Sequence, residues 1–294
     1  MEGIIPLQKD MEYAILGKTG RKVSRIGFGG ATAGLKNYIH TFDPEKREDR
    51  EPIIKAIHRA LELGINYFDT AAAYGNGASE RIFGEALRDT DPETIFLATK
   101  SSKGDAQHVR RSCESSLENL KRDWIDLLQV HGTVYSEEEA ELVMGSMLEE
   151  MEKMKQEGLI RWVGFTIEAQ NEPLYRFIKS RRFDVMQISY NFIFQHPYDP
   201  SWKSGSLYDA EEHQLGIVSM RTTTSGTFQK WMKMVHPEND FDYTRALIQF
   251  ELSNPLIDVA LIGMRSVKRV EQNVEICEDR SGRIDLSELH QRYV

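Results

Sequence analysis

Cysteine is nearly missing from this chain: Cys113 and Cys277 are the two in 294 residues, far apart and outside any CxxC spacing. That argues against a disulfide framework or a cysteine-built metal cluster, and it fits a reducing compartment. The opening segment MEGIIPLQKDMEY has no basic stretch followed by a long apolar run, so no signal peptide is expected. No stretch of about 18 apolar residues exists, so no transmembrane helix is expected either. A cytoplasmic protein without membrane partners is the expectation. Positive charge is in deficit as well. The formal net charge of -9 disfavours nonspecific binding to nucleic acid while leaving room for a local basic pocket. Complete nucleotide-loop signatures are absent too. Gly27 and Gly29 begin a G-x-G-x-x-G pattern whose third position is Thr32, and Gly17-Lys18-Thr19 could end a P-loop whose first glycine is replaced by Glu12.

What is present is an ordinary globular composition, 40% apolar and 28% charged, and a repeating alternation. Residues 12–24 read as a β-hairpin turning through Gly17–Gly20. After it come eight short apolar runs: 26–29, 66–69, 95–100, 126–131, 161–166, 185–189, 216–220 and 259–263. Segments of helical periodicity separate them, such as 51–63 with Ile53, Ile54, Ile57, Ala60 and Leu61, and 141–155 with Leu or Met on one face. Near-continuous apolar strands suit a parallel sheet covered on both sides. Eight of them alternating with helices predict a (β/α)8 TIM barrel, one domain over 1–294, with an N-terminal β-hairpin. A doubly wound open sheet is the alternative. Segments 190–206 and 222–240 stand out as long stretches after the sixth and seventh runs, and long loops at that face of a barrel tend to be functional. The loop after the first run, with Leu35, Tyr38, His40 and Phe42, receives no assigned role.

Polar residues at the ends of these runs carry the chemistry. Asp69 ends the second, Lys100 the third and His131 the fourth, and Tyr74 sits in the loop after the second. Singly, such residues are mostly caps, solvated ends or packed rings. Together on successive strand ends of a barrel, they deliver a carboxylate, an ammonium, an imidazole and a phenol to one place. A phenol, with a reference pKa of about 10, is a poor proton donor at neutral pH. A neighbouring ammonium stabilises the phenolate, and a carboxylate keeps that ammonium charged. An imidazole can orient a carbonyl oxygen. Such a set is a general acid for a developing alkoxide, with hydride supplied by a cofactor.

At these residues the sequence resembles the aldo-keto reductase superfamily. The likeness runs through YAILGKTGRKVSRIGFGG (13–30), NYFDTAAAYGNGASERIFGEAL (66–87), IFLATK, DLLQVHG and IGMRSVKRVEQNVE (262–275). It implies NADP(H) bound in extended form across the barrel mouth, with Asp69, Tyr74, Lys100 and His131 as the catalytic tetrad. Gly30 matches the glycine region where backbone approaches the cofactor. Gly263, Arg265, Ser266, Arg269, Gln272 and Asn273 match the positions around the 2′-phosphate and adenine, and two arginines suit a phosphate. Where relatives carry Ser-Asn to hold the nicotinamide carboxamide, this chain has Thr166-Ile167, so that grip is expected to be altered; Gln187 matches the third carboxamide ligand. Met220 is expected against the nicotinamide and Arg221 near the pyrophosphate, with Thr222, Thr223 and Thr224 as further donors or as loop. Ala71, Ala72 and Ala73 are small enough to let their loop pass close to the nicotinamide.

The aromatic residues of the two long segments, with Phe192, Trp202 and Trp231 foremost, could line a pocket for a small-molecule carbonyl or alcohol, or could pack the loops onto the rim. The function that the resemblance implies is an NADPH-dependent oxidoreductase converting an aldehyde or ketone to an alcohol, or the reverse. A cofactor-binding accessory subunit and an NAD-dependent sugar oxidoreductase are the alternatives.

Overall fold

Strands that must be covered on both faces need apolar side chains at nearly every position, and all eight apolar runs become such strands. The computed structural model describes residues 11–36 and 42–291; residues 1–10, read above for a leader, and Tyr38 and His40 of the early loop lie outside them. The hairpin is β1 (Tyr13–Ile15) paired antiparallel with β2 (Lys22–Ser24). Then follow β3 (Ile26–Gly29), β4 (Tyr67–Asp69), β5 (Phe96–Ser102), β6 (Ile125–His131), β7 (Ile160–Ile167), β8 (Val185–Ser189), β9 (Gly216–Met220) and β10 (Val259–Gly263). These eight form a closed parallel barrel, shut where Ala260 to Gly263 pair with Ile26 to Gly29. The open-sheet alternative is thereby excluded.

Two apolar layers hold the barrel. Inside it pack Tyr67, Phe96, Leu127, Val185, Val218 and Val259, with Leu16 and Val23 from the hairpin. Tyr67, Phe96 and Trp162 stack in sequence across the interior, with centroids 5.1 and 5.4 Å apart. Outside it, the opposite strand faces meet the apolar faces of the helices, among them Ile53, Ile57 and Ala60 of helix Arg47–Glu62. That helix starts four residues before the expected 51–63, with Glu48 and Asp49 in its first turn, where acids favour the positive end of the helix dipole. The segment expected over 141–155 is part of a longer helical stretch, Glu137–Leu142 and Leu148–Gln156, joined by a π-turn at Val143–Met147. Gly145 leaves helical geometry there, and Arg182 donates to the carbonyl of Met144, 2.7 Å away.

The hairpin closes the end of the barrel opposite the strand C-termini. Its turn lies so close to β9 that a Cβ on Gly17 would come within 2.2 Å of the Gly216 nitrogen, and the Lys18 amide donates to the Gln214 carbonyl. At the other end, segment 190–206 runs irregularly into helix Ser206–Glu212, and 222–240 contains helix Thr227–Val235. No helix among the described residues is long and apolar enough to cross a membrane. Cys113 and Cys277 are both buried free thiols.

Candidate active site

The C-terminal ends of the strands surround a cavity of about 400 Å³. Gly29 (β3), Asp69 (β4), Lys100 (β5), His131 (β6), Thr166 and Ile167 (β7), Gln187 (β8), Met220 (β9) and Gly263 (β10) all line it, and Tyr74 joins them from the loop after β4. Every strand of the barrel contributes because residues at the same height on successive strands point to one axis.

Lys100 is 1% exposed and Asp69 2%. The lysine donates to Asp69 Oδ1 at 2.5 Å and to the Thr70 carbonyl at 2.7 Å. Burial alone would push the ammonium down, but Asp69, and Tyr74 after it, outweigh burial and hold it above the ordinary lysine value. The ammonium also stands 5.1 Å from the centre of the Tyr74 ring. Gln129, which interrupts the apolar run of β6, donates to Asp69 Oδ2 at 3.3 Å and to Gln187 Oε1 at 3.0 Å. His131 meets the Tyr74 ring edge to face, with centroids 5.4 Å apart. Burial, reinforced by the Lys100 charge, pushes His131 down to about 4, so its imidazole is neutral near pH 7.

The loop that presents Tyr74 is fixed by close backbone approach. A Cβ on Gly34 would meet the Tyr74 carbonyl at 2.3 Å, and Gly75, at φ +65°, presses equally close to the Gly34 carbonyl. Ser79 ties the same loop down, accepting from Thr70 Oγ1 and donating to the Gly30 carbonyl, while the Gly30 amide donates to the Asp69 carbonyl. Gly30 therefore sits behind the cavity wall, which Gly29, Ala31, Thr32 and Leu35 form instead. Ala71, Ala72 and Ala73 also stay outside the lining; Ala71 is buried, and the Ala72 amide bonds the Lys100 carbonyl.

The residues expected around a cofactor divide into two groups. Thr166, Gln187, Met220, Arg221 and Gly263 line the cavity, whereas Arg265, Ser266, Arg269, Gln272 and Asn273 do not. Arg265 is held by its own chain: it donates to the carbonyls of Thr32 and Leu35 at 2.6 and 3.2 Å and stacks on the Phe42 ring at 4.2 Å. Ser266 caps helix Val267–Glu278, accepting from the Arg269 amide. Lys268 and Arg269 are exposed in the first turn of that helix, with Arg269 donating to Gln272 at 3.3 Å, and Asn273 is buried. The Thr166 hydroxyl accepts from the Gly132 amide at 2.7 Å and donates to the Val130 carbonyl at 3.2 Å.

The aromatic candidates are not brought to the cavity. Phe192 packs edge to face on Phe228 and Phe250, at 5.3 and 5.5 Å, joining the two long segments to each other; Trp202 and Trp231 are 82% and 50% exposed. The walls to which sequence reasoning gave no role include the polar Thr32, Thr133, Glu168 and Ser225 beside the apolar Ala31, Leu35 and Leu261. Gln129 carried a usable signal, an amide inside an apolar strand; Thr133 and Glu168 carried none.

Comparison with known proteins agrees with this fold. The model of the Aldo/keto reductase family matches residues 25–242. The chain is 27% identical to L-galactose dehydrogenase of Arabidopsis thaliana, over 90% of this chain and 87% of that one. Its fold is similar to the holo form of an aldo-keto reductase from Bacillus halodurans, with a TM-score of 0.75 and 23% identity over 96% and 95% of the two chains. It is similar as well to an aldo/keto reductase from Klebsiella pneumoniae in complex with NADP and acetate, with a TM-score of 0.71 and 22% identity over 94% and 93%.

Proposed function

Because the chain belongs to the aldo/keto reductase family, we propose that it is an NADPH-dependent oxidoreductase that interconverts a carbonyl and an alcohol, with Tyr74 as the general acid and base. The observation that carries the reading is the buried Lys100–Asp69 pair beside Tyr74 and a neutral His131, all on one wall of a single cavity. The reading takes residues 1–294 as one domain.

The cavity suits a dinucleotide. Gly29, Gly132 and Gly263 leave stretches of its lining without side chains. Thr32 Oγ1, on the cavity lining, is buried with no hydrogen-bond partner among the described residues. Gln187, Met220 and the remaining lone pair of Thr166 would hold the nicotinamide end, and Ile167 adds only apolar contact. Arg221 would face the diphosphate. Since Arg265 is committed to two carbonyls, the 2′-phosphate falls to Lys268 and Arg269 at the start of a 12-residue helix.

NADPH, when bound, supplies the hydride. The chain's own residues handle the oxygen. The neutral His131 donates a ring N–H to the carbonyl oxygen and orients it. Tyr74 gives its proton to that oxygen as negative charge develops. The Lys100 ammonium stabilises the phenolate left behind, and Asp69 keeps the buried Lys100 charged. Run backwards, the phenolate takes the alcohol proton.

Steady-state oxidation of NADPH over a panel of aldehydes, ketones and sugars tests the reading. Tyr74→Phe should lower kcat by about 10²–10⁴-fold while NADPH affinity, read by fluorescence titration, stays within about two-fold. Wild-type protein that binds NADPH yet turns over no substrate above background would overturn it in favour of an accessory subunit.

A further inference from the structure

Arg221 and Glu168 sit on one arc of the cavity mouth, Glu168 just past β7 and Arg221 just past β9, and both line the cavity. Arg221 donates to Glu168 Oε1 through Nη2 at 2.7 Å and through Nε at 3.1 Å. Strand β8, which carries Gln187, lies between the two. At about 4.8 Å per strand the pair bridges roughly 10 Å of rim, on the arc that includes the end of β8.

The backbone on both sides is pinned. The Glu168 amide donates to Thr133 Oγ1 at 2.9 Å. On the other side, Thr222 donates to the Leu261 carbonyl at 2.8 Å and Thr224 accepts from the Phe228 amide at 3.0 Å. Arg221 itself takes φ +63°, and Thr224 and Ser225 are also left-handed, a conformation that non-glycine residues adopt at a cost and that the surrounding contacts maintain. The ion pair, by contrast, is loose: its side chains are 41% and 46% exposed, and pairs so open to water are easily exchanged. A rigid frame with a weak ionic bridge permits exchange of partners without movement of the loops.

We propose that the Glu168–Arg221 pair is a latch on the β7–β9 arc of the cavity rim, opened when Arg221 exchanges the carboxylate for the diphosphate of the dinucleotide. The inference rests on the oxidoreductase reading above. A guanidinium fork that binds a carboxylate binds a phosphate through the same donors, and a diphosphate brings more charge than one carboxylate. Glu168 thus competes with the cofactor for Arg221 and holds its affinity below what the site could reach.

Fluorescence titration with NADPH tests this in wild type, Glu168→Gln, Arg221→Met and the double variant. Glu172→Gln serves as control, since it removes the same charge from an exposed position outside the cavity. Far-UV circular dichroism and thermal melts confirm that each variant is folded. Glu168→Gln should lower the NADPH Kd by about three- to ten-fold, Arg221→Met should raise it at least as much, and the double variant should match Arg221→Met. A Kd for Glu168→Gln equal to or above wild type overturns the latch, as does an equal gain in Glu172→Gln. Wild type that binds no NADPH would instead defeat the oxidoreductase reading and the latch with it, an outcome distinct from normal binding that ignores Glu168.

Discussion

On the proposed reading, Lys100 serves structure and chemistry at once. Its ammonium is buried against Asp69 and sits over the Tyr74 ring, so removing it strands a carboxylate in the interior. Breaking one side of a buried pair typically costs about 3–5 kcal/mol, whereas replacing both partners by neutral groups of similar size can be close to neutral. Lys100→Met should therefore lower the unfolding free energy by about that amount, and Asp69→Asn combined with Lys100→Met should recover most of it. If the proposed reading holds, neither protein should reduce a carbonyl, because the phenol has lost its cation. Urea denaturation read beside NADPH oxidation separates the two roles; a double variant as unstable as Lys100→Met would show that the pair is not what Asp69 needs. Glu251 is the contrasting case. It is fully buried with no ion pair among the described residues, and burial pushes it well above the ordinary carboxyl value next to Ser219.

At the scale of elements, the closed end of the barrel shows a repeated device. Asp126 accepts from the Leu97 amide, Asp184 from Val163 and Asp258 from Ile217, while Asn66 does the same for Ser24. Each acceptor stands at or just before the start of β4, β6, β8 or β10 and braces the chain segment beside it. Burial raises two of these acids, Asp126 to about 7 and Asp258 to about 6; for Asp126 the Leu97 amide and Arg161, 3.7 Å away, offset burial only in part. An acid raised in the folded state binds more protons folded than unfolded, so its contribution is complete below about pH 4 and is lost as pH climbs through 7. Asp126→Asn keeps an oxygen for Leu97 and removes the buried charge. It should leave stability near pH 4 unchanged and raise it at pH 8 by more than about 1 kcal/mol. Denaturation curves at the two pH values check this, and parallel curves for wild type and variant would refute it.

The same scale explains what could be read from sequence. The eight strands were legible because each is buried on both faces, and Asp69, Lys100 and His131 because they break or end apolar runs. Arg265 and Arg221 were legible as cations but not by partner. Their contacts join positions 233 and 53 residues apart, to Thr32 and Glu168, and no local pattern encodes such pairs. The π-turn at Gly145 escaped for a related reason: the carbonyl of Met144 is satisfied by Arg182, 38 residues away. The aromatic segments suggested a pocket because rings favour both pockets and packing, and Phe192 is placed by packing against Phe228 and Phe250.

For the whole molecule, on the proposed reading, the barrel divides labour between its ends. In this architecture the strand C-termini carry chemistry and the opposite end carries stability. Leu16, at the tip of the hairpin, is fully buried among Tyr67, Phe96, Val185 and Val218, so it fills the interior from the closed end. Arg25, just after the hairpin, bonds the carbonyls of Leu252 and Ile257 and ties that end to helix Thr244–Leu252 and the turn beyond it. Between Leu16 and the cavity lies the stacked layer of Tyr67, Phe96 and Trp162. A void opened below that layer should weaken the barrel without shifting Lys100 or Gln187 above it. Leu16→Ala is accordingly expected to cost about 2–5 kcal/mol of unfolding free energy while NADPH Kd stays within about two-fold of wild type. Urea denaturation and fluorescence titration on the same preparation measure both quantities. A several-fold loss of NADPH affinity at temperatures where the variant is fully folded would mean that the interior layer transmits strain from the hairpin to the mouth, and the two ends would then have to be treated as one coupled unit.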